Sequence, residues 1–335
     1  MIGATRIRRL AAEGGYREEI VEKVLYLQAI LRQLARHPDL ESAWALKGGT
    51  ALNLFFLDVP RLSVDIDINY VGRGELEAMQ AARPAFEAAV VACCEREDCT
   101  VLRMPAEHAG GKLRLRYTAA AGGTGSLEVD VNFLLRRPVL ALEHRAPRFP
   151  PDAGAETVPL LSLEEIAAGK FTALLTRRAA RDAFDAFQLL ELVPDLLDRP
   201  GFRLAFLVYA AGNRQDIRGL RPGDVAVTPA EVRNQLLPLL RVEGRAFDGE
   251  PSRLARRLNE VRTAAGERLL AWSSREREFI DRLSDGGEIV SELITDEPAM
   301  QALVREQPLL QWKALNVREF RSRGKRGRTS GRPHT

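Results

Sequence analysis

The stretch Leu46–Gly72, LKGGTALNLFFLDVPRLSVDIDINYVG, decides the fold. Val64 to Val71 alternates apolar and polar residues, the signature of a half-buried strand. Side chains two apart on a strand share a face, so Asp65 and Asp67 project together while Val64, Ile66 and Ile68 face the other way. Two adjacent carboxylates repel, and one is driven toward protonation unless a cation sits between them. Hard divalent ions such as Mg²⁺ favour those oxygens. A strand face that is merely solvated, or paired with Arg from a neighbour, is the plain alternative. Gly48 and Gly49 lie just ahead of a short helix expected from Thr50 to Phe56. Glycines there let backbone amides approach a phosphate, and a helix N-terminus favours the anion. One segment thus offers a phosphate cradle followed by a metal-binding acid pair.

A third acid is available downstream in SLEVDVNFL, residues 126–134, where Asp130 sits between Val129 and Val131 with Glu128 and Asn132 on its face. Acids on adjacent strands can hold two Mg²⁺ ions for in-line displacement at phosphorus. Residues 101–104, 112–118 and 126–134 read as strands, separated by glycine-rich turns. Helices are expected over 16–37, with apolar positions at helical spacing, and over 74–96. A proline-rich connection, RAPRFPPDAGAETVPLL, follows. Beyond it SLEE, residues 162–165, reads as a capping box with Ser162 at the N-cap and Glu165 reaching back. The remainder is helical in period, with no clear strand and no internal repeat. In the block LLSLEEIAAGKFTALLTRRAARDAFDAFQL, residues 160–189, Lys170, Leu174, Arg177, Arg181 and Asp185 are spaced to form one helical stripe. A Lys and two Arg on one face suit a triphosphate. Local ion pairing, Arg178 with Asp182 and Arg181 with Asp185, is the alternative.

Two glycines, a spacer, D-x-D between apolar residues and a later strand Asp resemble the polymerase-β-type nucleotidyltransferase superfamily. The fuller string and the 160–189 block resemble the AbiEii/AbiGii-type nucleotidyltransferase toxins of bacterial toxin–antitoxin and abortive-infection systems. The resemblance implies an α+β fold, with a polymerase-β-like core of a short mixed sheet flanked by helices, then a mostly α-helical C-terminal domain. The expected divisions are 1–150 for the core with its N-terminal helices, 151–317 for the helical domain, whose 162–189 block completes the nucleotide site, and 318–335 for a basic tail. By the same resemblance Gly48, Gly49 and Thr50 would hold phosphates, Asp65, Asp67 and Asp130 would bind Mg²⁺ (or Mn²⁺), and Asp130 would assist deprotonation of the attacking hydroxyl. Lys170 would meet the triphosphate of an NTP, Arg61 and Ser63 would touch phosphate, and Arg181 and Asp182 match an R-D pair. The implied activity is Mg²⁺-dependent nucleotidyl transfer from an NTP to an RNA acceptor, a tRNA 3′ end in the first instance. The implied partner is a cognate antitoxin, often a winged-helix protein. Transfer to a protein or small molecule at the same site, and a non-catalytic nucleotide-sensing module, are the rival functions.

Composition sets the outer bounds. The chain has 335 residues, 45% hydrophobic and 28% charged, which is a globular profile. No run is long and apolar enough for a membrane helix, and the N-terminus has no apolar signal region. Three clustered cysteines, Cys93, Cys94 and Cys99, complete neither a disulfide framework nor a zinc pattern. A reducing cytoplasm is the expected compartment. The tail from Arg318 carries seven of the 49 basic residues and one of the 46 acidic ones, so the rest of the chain is slightly acidic. The tail is expected to be disordered. It is either a solvated end or an arm for nucleic acid.

Overall fold

The computed structural model describes residues 2–103, 110–177, 179–241 and 250–329. Met104 of the expected strand, the Arg178 ion pair and the end of the tail lie outside the described residues. Helices α1 (Ala4–Gly14) and α2 (Glu18–Arg36) come first. Glu18 and Glu19 in the first turn of α2 complement its dipole. Its apolar stripe, including Val21, Val24, Leu27 and Leu31, is buried. Strand β1 (Trp44–Lys47) runs into a single helical turn, α3 (Gly48–Ala51), that continues as a wider turn over Leu52–Phe56. Then come β2 (Asp65–Tyr70), α4 (Leu76–Glu95), β3 (Thr100–Arg103), β4 (Gly110–Thr118), β5 (Thr124–Asn132), β6 (Glu143–Arg145) and β7 (Val158–Leu160).

These strands form one mixed sheet of order β3-β4-β5-β2-β1-β7-β6. The pairs β2–β5 and β1–β7 are parallel and the others antiparallel. On one face Ile66, Ile68, Leu113, Leu115, Val129 and Val131 are buried. Helices α2 and α4 cover that face, with Tyr26 of α2 against Tyr117 and Phe86 of α4 against Tyr70. Each such side chain contributes about 1.5–3 kcal/mol on burial, which fixes which face of β2 is left for Asp65 and Asp67.

The C-terminal half is helical: α5 (Leu163–Thr176), α6 (Ala180–Leu192), α7 (Pro200–Ala211), the short α8 (Pro229–Glu231), α9 (Pro251–Leu269), α10 (Ser274–Asp281), α11 (Pro298–Arg305) and α12 (Pro308–Thr329). The α+β fold expected from the sequence is the fold observed.

Four details depart from expectation. The sheet continues past residue 150, because β7 pairs with β1 and Leu161 N–H donates to the Leu46 carbonyl at 3.0 Å. Val158–Leu160 is too short for its alternation to register as a strand. Ser162 does cap α5, accepting from the Glu165 amide at 3.2 Å. The box is left open, however, because the Glu165 carboxylate accepts from the amides of Val139 and Leu140 and from the Tyr209 hydroxyl at 3.0, 2.9 and 2.6 Å. The helix expected across 160–189 breaks at Arg177 and Ala179, whose backbones are extended (φ −143°, ψ 157° and φ −153°, ψ 115°), so α6 turns back on α5. The tail from Arg318 continues α12 as helix to Thr329. Buried Leu310 and Ala314 anchor that helix, and Arg, Lys and Glu are good helix formers.

Candidate active site

The site is built around the turn joining β1 to α3. Gly48 has φ +72°, and a Cβ there would lie 2.3 Å from Oδ2 of Asp67. Only glycine fits, both because the backbone is left-handed and because the carboxylate already occupies the space. The close approach follows from pairing, since Lys47 stands opposite Asp67 in the β1–β2 ladder. A Cβ on Gly49 would lie 2.9 Å from the Arg61 guanidinium, 3.0 Å from Ser63 Oγ and 3.6 Å from Lys170 Nζ. The turn is therefore backed by a Ser and two cations. The buried Thr50 hydroxyl donates to the carbonyl of Asp65, tying α3 to β2. Asn53 donates to the Gly49 carbonyl and to Asp185, each at 3.0 Å.

The carboxylates come together through strand register. The parallel ladder sets Asp65 beside Glu128 and Asp67 beside Asp130. Burial raises the pKa of Asp65, and Asp67 raises it further against the pull of Arg181, whose Nη1 is 3.6 Å away. Burial likewise raises Asp130, opposed by Lys47 and reinforced by Asp67. Glu128 is engaged by Lys112 at 2.7 Å and Arg114 at 3.5 Å, and it drops out of the acid cluster. Among the described residues no three acidic, His or Cys side chains converge into a self-sufficient cation cage.

Behind the turn lies a buried ion network. Asp185 accepts from Arg61 at 2.8 and 2.7 Å and from Lys170 at 2.7 Å; Asp182 pairs with Lys170 at 3.2 Å and Arg177 at 2.7 Å. Burial alone would raise both aspartates, but Arg61 and Lys170 at Asp185, and Lys170 and Arg177 at Asp182, hold them below the ordinary range. Burial would lower Lys170, and the two aspartates more than reverse that. The expected single basic stripe is therefore not formed. Its cations are shared with acids from the next helix, because the chain reverses at 177–179. Arg61, 2% exposed and held by Asp185 and the Leu62 carbonyl, supports the turn from beneath. Asp182 is a buried counter-ion to Lys170 and Arg177, and the Thr50 hydroxyl donates to the backbone.

A cleft of about 700 Å³ opens from Gly48, Asp67 and Asp130, past Lys170 and Arg177, to Tyr209 and Trp312. Lys47, Arg136 and Arg214 are further cations on its wall; Arg177 keeps 63% of its side chain exposed, and Arg181, beside Asp65, keeps 41%. Lys47, Glu165, Tyr209 and Trp312 are lining residues that sequence reasoning did not find. Lys47 was discoverable as the residue before the glycines; Tyr209 lies on an apolar helix buried nearly all round and Trp312 on a mostly polar one, with no motif around either.

A glycine turn is pressed against a strand carboxylate, further acids stand in register beside it, and a buried network of paired cations and aspartates lies behind. The chain belongs to the AbiEii family, described as nucleotidyl transferase AbiEii toxins of type IV toxin–antitoxin systems, whose model matches residues 29–315. It is similar in structure to MenT4, a nucleotidyltransferase toxin from Mycobacterium tuberculosis H37Rv, with a TM-score of 0.55 and 17% identity over 93% of this chain and 99% of that one. A search of curated proteins gave no match. Among the described residues no helix is long and apolar enough to cross a membrane.

Proposed function

We propose that this chain transfers a nucleotide from an NTP to the 3′ end of an RNA, with tRNA as the acceptor, in the cytoplasm and under restraint by a cognate antitoxin of winged-helix type. The observation that carries the reading is the juxtaposition of the Gly48–Gly49 turn with Asp67 and Asp130 at the mouth of one cleft. The donor set fits a hard divalent ion. It consists of carboxylate oxygens, and their mutual repulsion and burial favour a cation there. Mg²⁺ is ordinarily held by one or two carboxylates completed by substrate phosphates, and the Asp65–Asp67 pair meets that requirement for a metal–nucleotide substrate. Asp65 and Asp67, with Asp130 beside them, are the residues that would hold Mg²⁺ (or Mn²⁺). When bound, the ion would supply charge neutralisation at the triphosphate.

The chain's own groups do the positioning. Amides of Gly48, Gly49 and Thr50 at the start of α3 orient the phosphates. Arg177 and Arg181 supply direct positive charge from the rim, and buried Lys170 adds its field from behind the turn. The acceptor's 3′ hydroxyl oxygen forms a bond to the α-phosphorus while the α–β bridging bond breaks and pyrophosphate leaves. Asp130, whose proton affinity is already raised, takes the hydroxyl proton. The test is incubation with each α-labelled NTP and total tRNA, resolved on a denaturing gel. Label is expected in RNA and only with a divalent ion. Label confined to protein or to a small product, or no requirement for the ion, overturns the reading.

A further inference from the structure

We propose that the outward face of β4 is the track for the acceptor, a single-stranded RNA end whose phosphates run along Arg116, Arg114 and Lys112 toward Asp130. The proposal rests on the reading of the reaction above and adds where the polyanion lies. The β4–β5 register sets Lys112 opposite Asp130, Arg114 opposite Glu128 and Arg116 opposite Ser126. Residues directly opposite share a face, and β2 continues that face to Asp65 and Asp67. The three cations are therefore on the same side of the sheet as the reacting centre, in a line that ends there. Their neighbours Leu113, Leu115 and Tyr117 point into the core, so burial of that side forces the cations outward.

The row is exposed and carries excess charge. Lys112 and Arg114 side chains are 53% and 61% exposed, and Arg116 is exposed too. Glu128 is the acid bonded to the row among the described residues, at 2.7 Å from Lys112 and 3.5 Å from Arg114, while Ser126 and Thr100 are the neutral residues paired with Arg116. Three cations therefore share one bonded acid among the described residues, a surplus of positive charge on a chain that is slightly acidic ahead of its basic tail. Alternate residues of a strand stand about 7 Å apart, a spacing comparable to successive phosphates of a single strand. The next position on that face is Gly110, where φ is +112° and a Cβ would meet the Val131 carbonyl at 1.9 Å. No side chain can stand there, so the cationic row ends at Lys112, opposite Asp130.

The experiment measures binding, separately from turnover. A 5′-labelled single-stranded RNA is titrated with the full chain across a series of salt concentrations, without NTP, and log K is plotted against log salt. Each single-strand phosphate contact contributes about 0.7 to the slope. Arg114→Glu/Arg116→Glu and the neutral Arg114→Gln/Arg116→Gln are both expected to lower the slope by about 1.4, with Arg114→Lys/Arg116→Lys retaining it. The neutral pair guards against an effect of introduced repulsion, and a melting curve of each variant guards against misfolding. Slopes equal to wild type in both the Glu and Gln pairs overturn the track; if wild type still labels RNA, the reaction stands and only its docking surface is wrong. A wild-type chain that binds no RNA while it labels protein overturns both.

Discussion

Gly48 carries two constraints at once, a left-handed backbone and contact with the Asp67 carboxylate. Gly48→Ala should therefore cost about 1–3 kcal/mol of stability from the backbone strain alone, and displace Asp67 as well. A denaturant melt together with the labelling assay checks this: a wild-type midpoint with wild-type activity is the opposite outcome. Asp67 behaves differently. It raises the pKa of Asp65 and of Asp130 beyond what burial does. A carboxyl whose folded pKa is raised contributes stability that is complete below its ordinary value of 3.8 and is lost as pH rises through the shifted value. Asp67→Asn reduces that loss, so its melting temperature at neutral pH should equal or exceed wild type without divalent ions. Transfer should fall by orders of magnitude, and Mg²⁺ with NTP should stabilise wild type but not the variant. A variant that still modifies RNA would remove Asp67 from the site.

At the scale of elements, α5 and α6 matter as a pair locked by charge. Asp185 is fully buried and neutralises both Arg61 from the loop before β2 and Lys170 from α5. Asp185→Ala leaves two cations without their shared partner, a change that typically costs about 3–5 kcal/mol. Thermal or urea unfolding measures it, and a loss below ~1 kcal/mol would show that the network is solvated rather than buried. The pH sign is opposite to that of Asp65. Asp182 and Asp185 are held below the ordinary carboxylate value, so their stabilisation is complete above it and is lost as pH falls below 3.8 toward the depressed values. Asp185→Asn should flatten the acid limb of stability against pH.

Across the whole molecule, the cleft needs both halves of the chain. Gly48, Asp67 and Asp130 come from the sheet, while Tyr209 and Trp312 come from α7 and α12. Gln307 donates to the Arg137 carbonyl at 3.0 Å, fastening the start of α12 beside the sheet. Further along α12, Arg318 donates to the Gly287 carbonyl at 3.0 and 2.7 Å, and Arg321 donates to that of Asp285. Ending the chain after Val317 should therefore destabilise it by about 1–2 kcal/mol relative to ending it after Ser322, at roughly 1 kcal/mol for each arginine contact. Equal melting temperatures would mean those contacts are solvated. The same two truncations divide the basic tail in the salt titration of RNA binding. A slope unchanged by both leaves β4 as the cationic track and makes the tail a solvated end.

The sequence by itself determined the faces and the turn. Period-two alternation put Asp65 and Asp67 on one side of β2 and the apolar residues on the other, because strand geometry allows nothing else. Two glycines before a helix marked the tight approach that Gly48 makes, and Ser162 was legible as a cap because capping is local. Register, partners and burial were decided only by the tertiary structure. Asp130 meets Asp67 because β5 docks parallel to β2. Lys170, which has no acid at helical spacing, finds Asp182 and Asp185 because the chain reverses at 177–179. Arg61 is buried against Asp185, a partner 124 positions away in sequence. Glu165 looked like half of a capping box and was drawn to the amides of Val139 and Leu140. A carboxylate or guanidinium gains most where water is excluded and donors or acceptors are preplaced. Those places exist only once distant elements have packed, and no spacing along the chain records them.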